Sequence, residues 1–314
     1  MDRQRALAHF LIGAALPLLL SATRDAPALP IAEARWLSRE AVMDGLTRQP
    51  TECVKLPSGK AERQSAMMGR VAFRAPLLLG GQAARAGLSC ASCHRSGRGN
   101  PHFSFPGLSG VPGTADITSS LMSSHRGDGT VNPKPIPDLA SPNQLISRDQ
   151  GSRALETFIR GLIVEEFDGP EPSAAVLKGV ADYVRAITPA GCPRSSSEPL
   201  SLTTMLTEVD SAAGAALRAA EKGDEASMRL LVGAARSSLG RIDERFTIPG
   251  LEASRAVLST ADAELRPIRL MKPAEAAPAI RAWRRRWTPR LDQLNAREAR
   301  SFFSERVIRR HLQR

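Results

Sequence analysis

Aromatic side chains are scarce, with one Tyr, three Trp and nine Phe in 314 residues. Rings therefore contribute little of the packing, which falls to aliphatic residues. Cysteine is limited to four and histidine to five. Methionine is missing between Met122 and Met205, and no segment after Leu20 is apolar and long enough to span a membrane. Acidic residues are outnumbered, 32 against 43 Lys and Arg, leaving a net charge of +11. Such an excess predicts an acidic partner or an anionic surface.

What is present begins with the N-terminus. Arg3 and Arg5 precede an apolar run from Leu11 to Leu20, and Ala26-Pro27-Ala28 offers an A-x-A cleavage pattern. Residues 1–28 are read as a secretory signal, which places the mature chain in the periplasm. An uncleaved membrane anchor and a buried N-terminal helix of a cytosolic protein are the alternatives. Export argues against nucleic acid as the partner despite the charge.

An apolar content of 42% is compatible with a packed globule, and the length allows two modest domains or one large one. Residues 31–71 look helical, with Trp36, Leu37 and Val42 apolar among charged neighbours. From Leu79 to Asn143 the chain is rich in Gly, Pro and Ser, a long irregular stretch that needs something other than periodicity to organise it. Helical spacing returns with Leu155, Phe158, Ile159 and Leu162, then with Val176, Leu177, Val180, Tyr183, Val184 and Ile187. Residues 194–199 read as a linker. Beyond it Leu202, Met205, Leu206, Val209, Ala213 and Leu217 mark one helix, with Gly223 as its C-terminal cap and Asp224 as the next N-cap. Met228, Leu231, Val232, Ala235, Leu239 and Ile242 continue the pattern, and Thr288-Pro289 suits a further helix start. The expected fold class is all-α: a domain over 29–195 with long loops wrapped around a cofactor, then an α-helical unit over 200–314 of unknown role.

The cofactor is predicted by Cys90-Ala91-Ser92-Cys93-His94, the attachment pattern of c-type haem. Two thiols three positions apart reach the two vinyl groups of one porphyrin, and the next residue delivers an imidazole beneath the ring. With this composition, chance supplies on the order of 10⁻³ such motifs. A redox or zinc Cys-x-x-Cys pair is the competing reading, and it ordinarily has further Cys or His at ligand spacing. Only Cys53 and Cys192 remain here, an even pair suited to a disulfide in an oxidising compartment, with two free buried cysteines as the alternative. Such a bond would close a loop worth roughly 5 kcal/mol in the chain-entropy model.

The sixth iron ligand decides the chemistry, because an open face binds peroxide and a closed one transfers electrons. His102, Met122 and His125 are the candidates inside the haem segment. His125 comes first and Met122 second; His102 could instead bond a haem propionate. If unligated, His125 and Arg126 form a candidate acid/base and cation pair acting on peroxide. Glu165, Glu166 and Asp168 read as a solvated turn, with a helix cap or a cation site as the alternatives.

The stretch from Gly69 to Ile187 resembles a domain of the bacterial di-haem cytochrome c peroxidase and MauG-like family. The residues carrying it are Gly87 to His94, Phe103, the loop Gly107 to Gly113, Thr114 to Ser120, Phe158 to Gly161 and Ala181 to Arg185. The resemblance implies a haem-wrapping helical domain and peroxidase chemistry. That family carries two Cys-x-x-Cys-His motifs and this chain carries one, so transfer between two haems within the chain is not available.

Residues 281–314 hold eleven arginines against Asp292, Glu298 and Glu305, with Trp283, Trp287, Phe302 and Phe303 interleaved. This end can dock an acidic redox protein or an anionic membrane, or simply bury its rings and solvate its arginines. The expected function is electron transfer by an exported mono-haem cytochrome with an acidic periplasmic redox partner. A peroxidase-like enzyme and a haem-containing interaction or sensor protein are the alternatives.

Overall fold

The computed structural model describes residues 29–119, 121–142, 149 and 151–313. Residues 1–28, read above as a secretory signal, lie outside the described residues. Among these residues 60% are helical and 5% lie in strands, so the all-α expectation holds. No helix among them is long and apolar enough to cross a membrane.

The N-terminal half opens with 3-10 turns at Ala32–Trp36 and Arg39–Ala41, then α1 (Val42–Thr47) and β1 (Arg48–Pro50). The expected helix over this region is thus broken into short pieces, and the first long helix is α2 (Lys60–Phe73). Three short helices follow: α3 (Pro76–Leu79), α4 (Gly81–Ala86) and α5 (Cys90–Cys93). A 3-10 turn at Arg95–Gly97 follows, then loops that include β2 (Thr114–Ala115) and β3 (Lys134–Pro135), paired antiparallel. Next are α6 (Ala154–Gly161), a π turn at Leu162–Glu166 and α7 (Ala174–Ala186).

Helices α2 and α7 cross with their backbones in contact. A Cβ added to Gly69 would lie 1.8 Å from the Gly179 carbonyl oxygen, and one on Gly179 would lie 2.9 Å from that of Ser65. Only glycine permits this approach. It brings Ala72 and Phe73 onto Val176, Val180 and Tyr183, and Leu79, Phe103, Leu108, Leu155 and Ile159 complete one apolar core.

Residues 194–199 are not a free linker. Ser197–Pro199 forms β4, antiparallel to β1 with Gln49 opposite Glu198. Thr51 N–H donates to the Ser196 carbonyl and Leu200 N–H to that of Thr47, extending the ladder at both ends. The helical unit then consists of α8 (Leu202–Glu221), α9 (Glu225–Arg245), α10 (Glu252–Ile268) and α11 (Pro273–Trp287), with short α12 (Leu291–Asn295) and α13 (Glu305–Leu312). The caps fall where expected: Gly223 takes φ +73°, and the Asp224 carboxylate accepts from Ser227 N–H at 3.0 Å. Thr288-Pro289 starts only a 3-10 turn between α11 and α12.

Helix α8 is alanine-rich and buried over most of its circumference, because α9, α11 and α2 all pack on it. Val71 and Ala75 belong to its core. A third cluster joins Ile31, Leu37 and Leu46 to Phe302 and Ile308, so the C-terminal end closes on the N-terminal segment. Charges cross the same seam. Glu52 accepts from Arg70 at 2.7 Å, from Arg74 at 3.0 Å and from the Tyr183 hydroxyl. Arg74 continues to Glu208 at 3.2 Å, which Arg241 meets at 2.5 Å. Arg245 is fully buried and donates to the Leu46 and Phe302 carbonyls, and burial pulls its guanidinium down to about 10. The two halves form one interlocked body.

Candidate haem site

Helix α4 ends at Gly87 in the left-handed region, φ +78°, and Leu88 N–H returns to the Ala83 carbonyl. This reversal starts α5 at Ser89, whose N–H donates to Ser92 Oγ at 3.1 Å. Within that single turn Cys90 and Cys93 are one helical repeat apart and face the α2–α7 core. His94 N–H closes the turn on the Cys90 carbonyl. The chain then bends sharply at Ser96 (φ +52°) and Gly97 (φ +71°), where a Cβ on Gly97 would meet Ile187 at 2.5 Å.

Both thiols are free, and they and His94 lie deep in the domain while each keeps part of its surface accessible. Burial pushes both thiols up to about 12, so they stay neutral. Burial likewise pulls the His94 imidazole down to about 4, leaving it unprotonated. Nδ1 of His94 lies 3.1 Å from the Pro137 carbonyl oxygen. A carbonyl can only accept, so Nδ1 carries the proton and Nε2 keeps the lone pair that a metal requires. The Phe73 ring, 6.3 Å from the imidazole centroid, flanks it.

This donor set fits a covalently held haem: two unpaired thiols and one oriented imidazole against an apolar wall. Among the described residues no group of three or more His, Cys, Asp or Glu gathers as a metal site.

The distal candidates separate by burial. Met122 is 2% exposed and sits in the same apolar core against which Cys90 and Cys93 pack. His125 has 65% of its side chain exposed, with Nδ1 2.9 Å from Asp168. Arg126 is bound by Glu165 and lies 3.5 Å from Glu166. The His102 imidazole is 3.9 Å from the Asp44 carboxylate. Backbone N–H donation from Ser124 holds Asp168 below the usual carboxylate range, and His125 adds to it. The acidic stretch is more than a solvated turn. Glu166 is buried on the π turn with one oxygen unpartnered, and burial raises its carboxyl.

Cys53 and Cys192 form the disulfide. Cys53 is buried and Cys192 exposed, at the foot of the β1–β4 ladder. Trp283, Trp287, Phe302 and Phe303 are buried. Arg281, Arg284, Arg286, Arg290 and Arg309 pair with Glu221, Asp210, Glu264 and Glu305 of their own chain. The rings are thus unavailable to a partner.

Sequence reasoning missed Phe73, Arg98, Pro137 and Asp138 around His94. Pro137 stands 43 positions from its partner. Nothing in its neighbourhood marks it as an acceptor. No protein-family model, no curated protein and no solved structure matches this chain.

Proposed function

We propose that this protein is an exported mono-haem c-type cytochrome that carries electrons, with His94 and Met122 as the residues that would bind the haem iron. The observation that carries the reading is the His94 imidazole, oriented by Pro137 with Nε2 free, next to two neutral thiols on one helical turn. Cys90 and Cys93 would hold the haem through thioether links to its two vinyl groups, and His94 would bind its iron. A haem held there supplies one-electron exchange between ferric and ferrous iron.

The residues around it do the rest. Pro137 fixes the tautomer and plane of His94 and strengthens it as a donor. Phe73, Phe103, Leu108 and Ile159 keep the surroundings apolar. Met122 replaces His125 as the favoured distal ligand because its thioether is already inside the core. His125 would have to leave Asp168 and turn inward. The exposed arginine-rich end retains a role only through its charge, toward an acidic redox protein.

A peroxidase-like reading is favoured by one observation, the buried Glu166 carboxyl with an unpartnered oxygen near the Met122 loop. Optical and EPR spectra of the oxidised protein decide between them. The electron-carrier reading predicts a low-spin ferric signal that becomes high-spin in Met122→Ala and is unchanged in His125→Ala. A high-spin signal in the native protein would favour peroxidase chemistry.

A further inference from the structure

Past His94 the bend at Ser96 and Gly97 delivers the Arg98 guanidinium to two partners at once. Its Nε donates to Asp138 Oδ2 at 2.7 Å, and its Nη1 to Cys53 Sγ at 3.2 Å. Asp138 directly follows Pro137, whose carbonyl receives the His94 proton. The other carboxylate oxygen of Asp138 accepts from Ala140 N–H at 2.9 Å, and its backbone carbonyl accepts from Ser141 N–H. The turn that presents the Pro137 carbonyl is therefore anchored through Asp138. Gly99 lets the two segments touch, since a Cβ there would stand 3.2 Å from the Ile136 carbonyl oxygen. Cys53 is itself fixed: it is fully buried, bonded to Cys192, and its carbonyl accepts from Thr188 N–H.

We propose that Arg98 is a positioning residue for His94, braced between Asp138 and the Cys53–Cys192 disulfide, so that the disulfide is part of the support of the iron ligand. The proposal rests on the haem reading above. A tightly held Pro137 carbonyl draws the Nδ1 proton and makes the imidazole a stronger donor, which favours ferric iron. Loosening the brace weakens that donation and favours ferrous iron.

Two variants test this without changing the charge near the haem. Arg98→Lys keeps the cation but replaces a planar fork by a point charge that serves one partner at a time. Cys53→Ser with Cys192→Ser keeps Arg98 and Asp138 and removes the bridge. Both should raise the ferrous-to-ferric ratio at a fixed poise by about tenfold, an upward shift of about 59 mV for one electron. The two changes act on one chain of contacts, so together they should shift the potential by less than the sum. Arg63→Lys is the control, because Arg63 donates to the Pro57 and Ser58 carbonyls and not to the Arg98, Asp138 or Cys53 groups.

A melting temperature that falls while the potential stays at the native value would make the brace merely structural and overturn the proposal. If the serine pair fails to fold, Arg98→Lys decides alone, since it leaves the disulfide in place. Haem staining of denatured protein separates the two levels of failure. Covalent haem with an unmoved potential sinks only this inference, whereas a wild-type chain without covalent haem sinks the function and the inference together.

Discussion

At the scale of single residues, what decides behaviour is which polar groups were buried and with what company. Glu52 shows the balance. Burial opposes its ionisation, but Arg74, Arg70 and the Tyr183 hydroxyl outweigh that cost and hold its carboxyl down to about 2. A carboxyl depressed in the folded state stabilises the fold above its unfolded value, near 4.5, and loses that stabilisation as pH falls toward 2. The shift corresponds to about 3 kcal/mol at neutral pH. Urea midpoints at pH 7 and pH 3 should therefore fall more for the native protein than for Glu52→Gln, whose side chain does not titrate. An equal fall in both would remove Glu52 from the acid response. The motif residues Cys90, Cys93 and His94 were legible from spacing alone. Their supports were not, because Pro137, Asp138 and Phe73 reach the imidazole only through the tertiary fold. The choice between Met122 and His125 was equally hidden. Both sit in one polar, glycine-bounded run, and burial alone separates them.

Secondary elements were readable where a local signal exists. The stripes of α7, α8 and α9 follow from 3.6-residue periodicity, and Gly223 and Asp224 end and start helices by their own conformational chemistry. The β1–β4 ladder had no such signal. It joins segments some 150 residues apart, and its strands of three residues are too short to show alternation. The α2–α7 crossing is the element-scale feature most open to test. At Gly69 and Gly179 backbone occupies the position of any Cβ, whereas a Cβ on Gly240 of α9 meets nothing within 4 Å. Gly69→Ala is expected to cost about 3 kcal/mol or to prevent folding. Gly240→Ala should stabilise by up to about 1 kcal/mol through helix propensity. Thermal melts of the two variants check the pair, and equal effects would contradict the crossing.

For the whole molecule, the segments 29–195 and 200–314 meet through shared cores and ion pairs. Arg74 pairs with Glu52 of one half and Glu208 of the other, and Phe302 packs with Ile31 and Leu46. The sequence could suggest a boundary at 195–200 because composition changes there, but it carries no record of which faces meet. The disulfide closes the segment that carries Cys90, Cys93 and His94 at the ladder that joins the halves. Cys53→Ser with Cys192→Ser should lower stability by several kcal/mol, up to about 5 in the chain-entropy model, read as a lower urea midpoint. An unchanged midpoint would mean that the ladder and cores already hold the loop ends together. All of this surrounds one claim, that a haem is bound through Cys90 and Cys93 with His94 on the iron. Intact mass and haem staining of protein exported by a cell that attaches c-type haem test it most directly. The account predicts one haem per chain that survives denaturation and is lost in the Cys90→Ala, Cys93→Ala double variant. A native chain of bare polypeptide mass, or a double variant that still holds haem covalently, would contradict it.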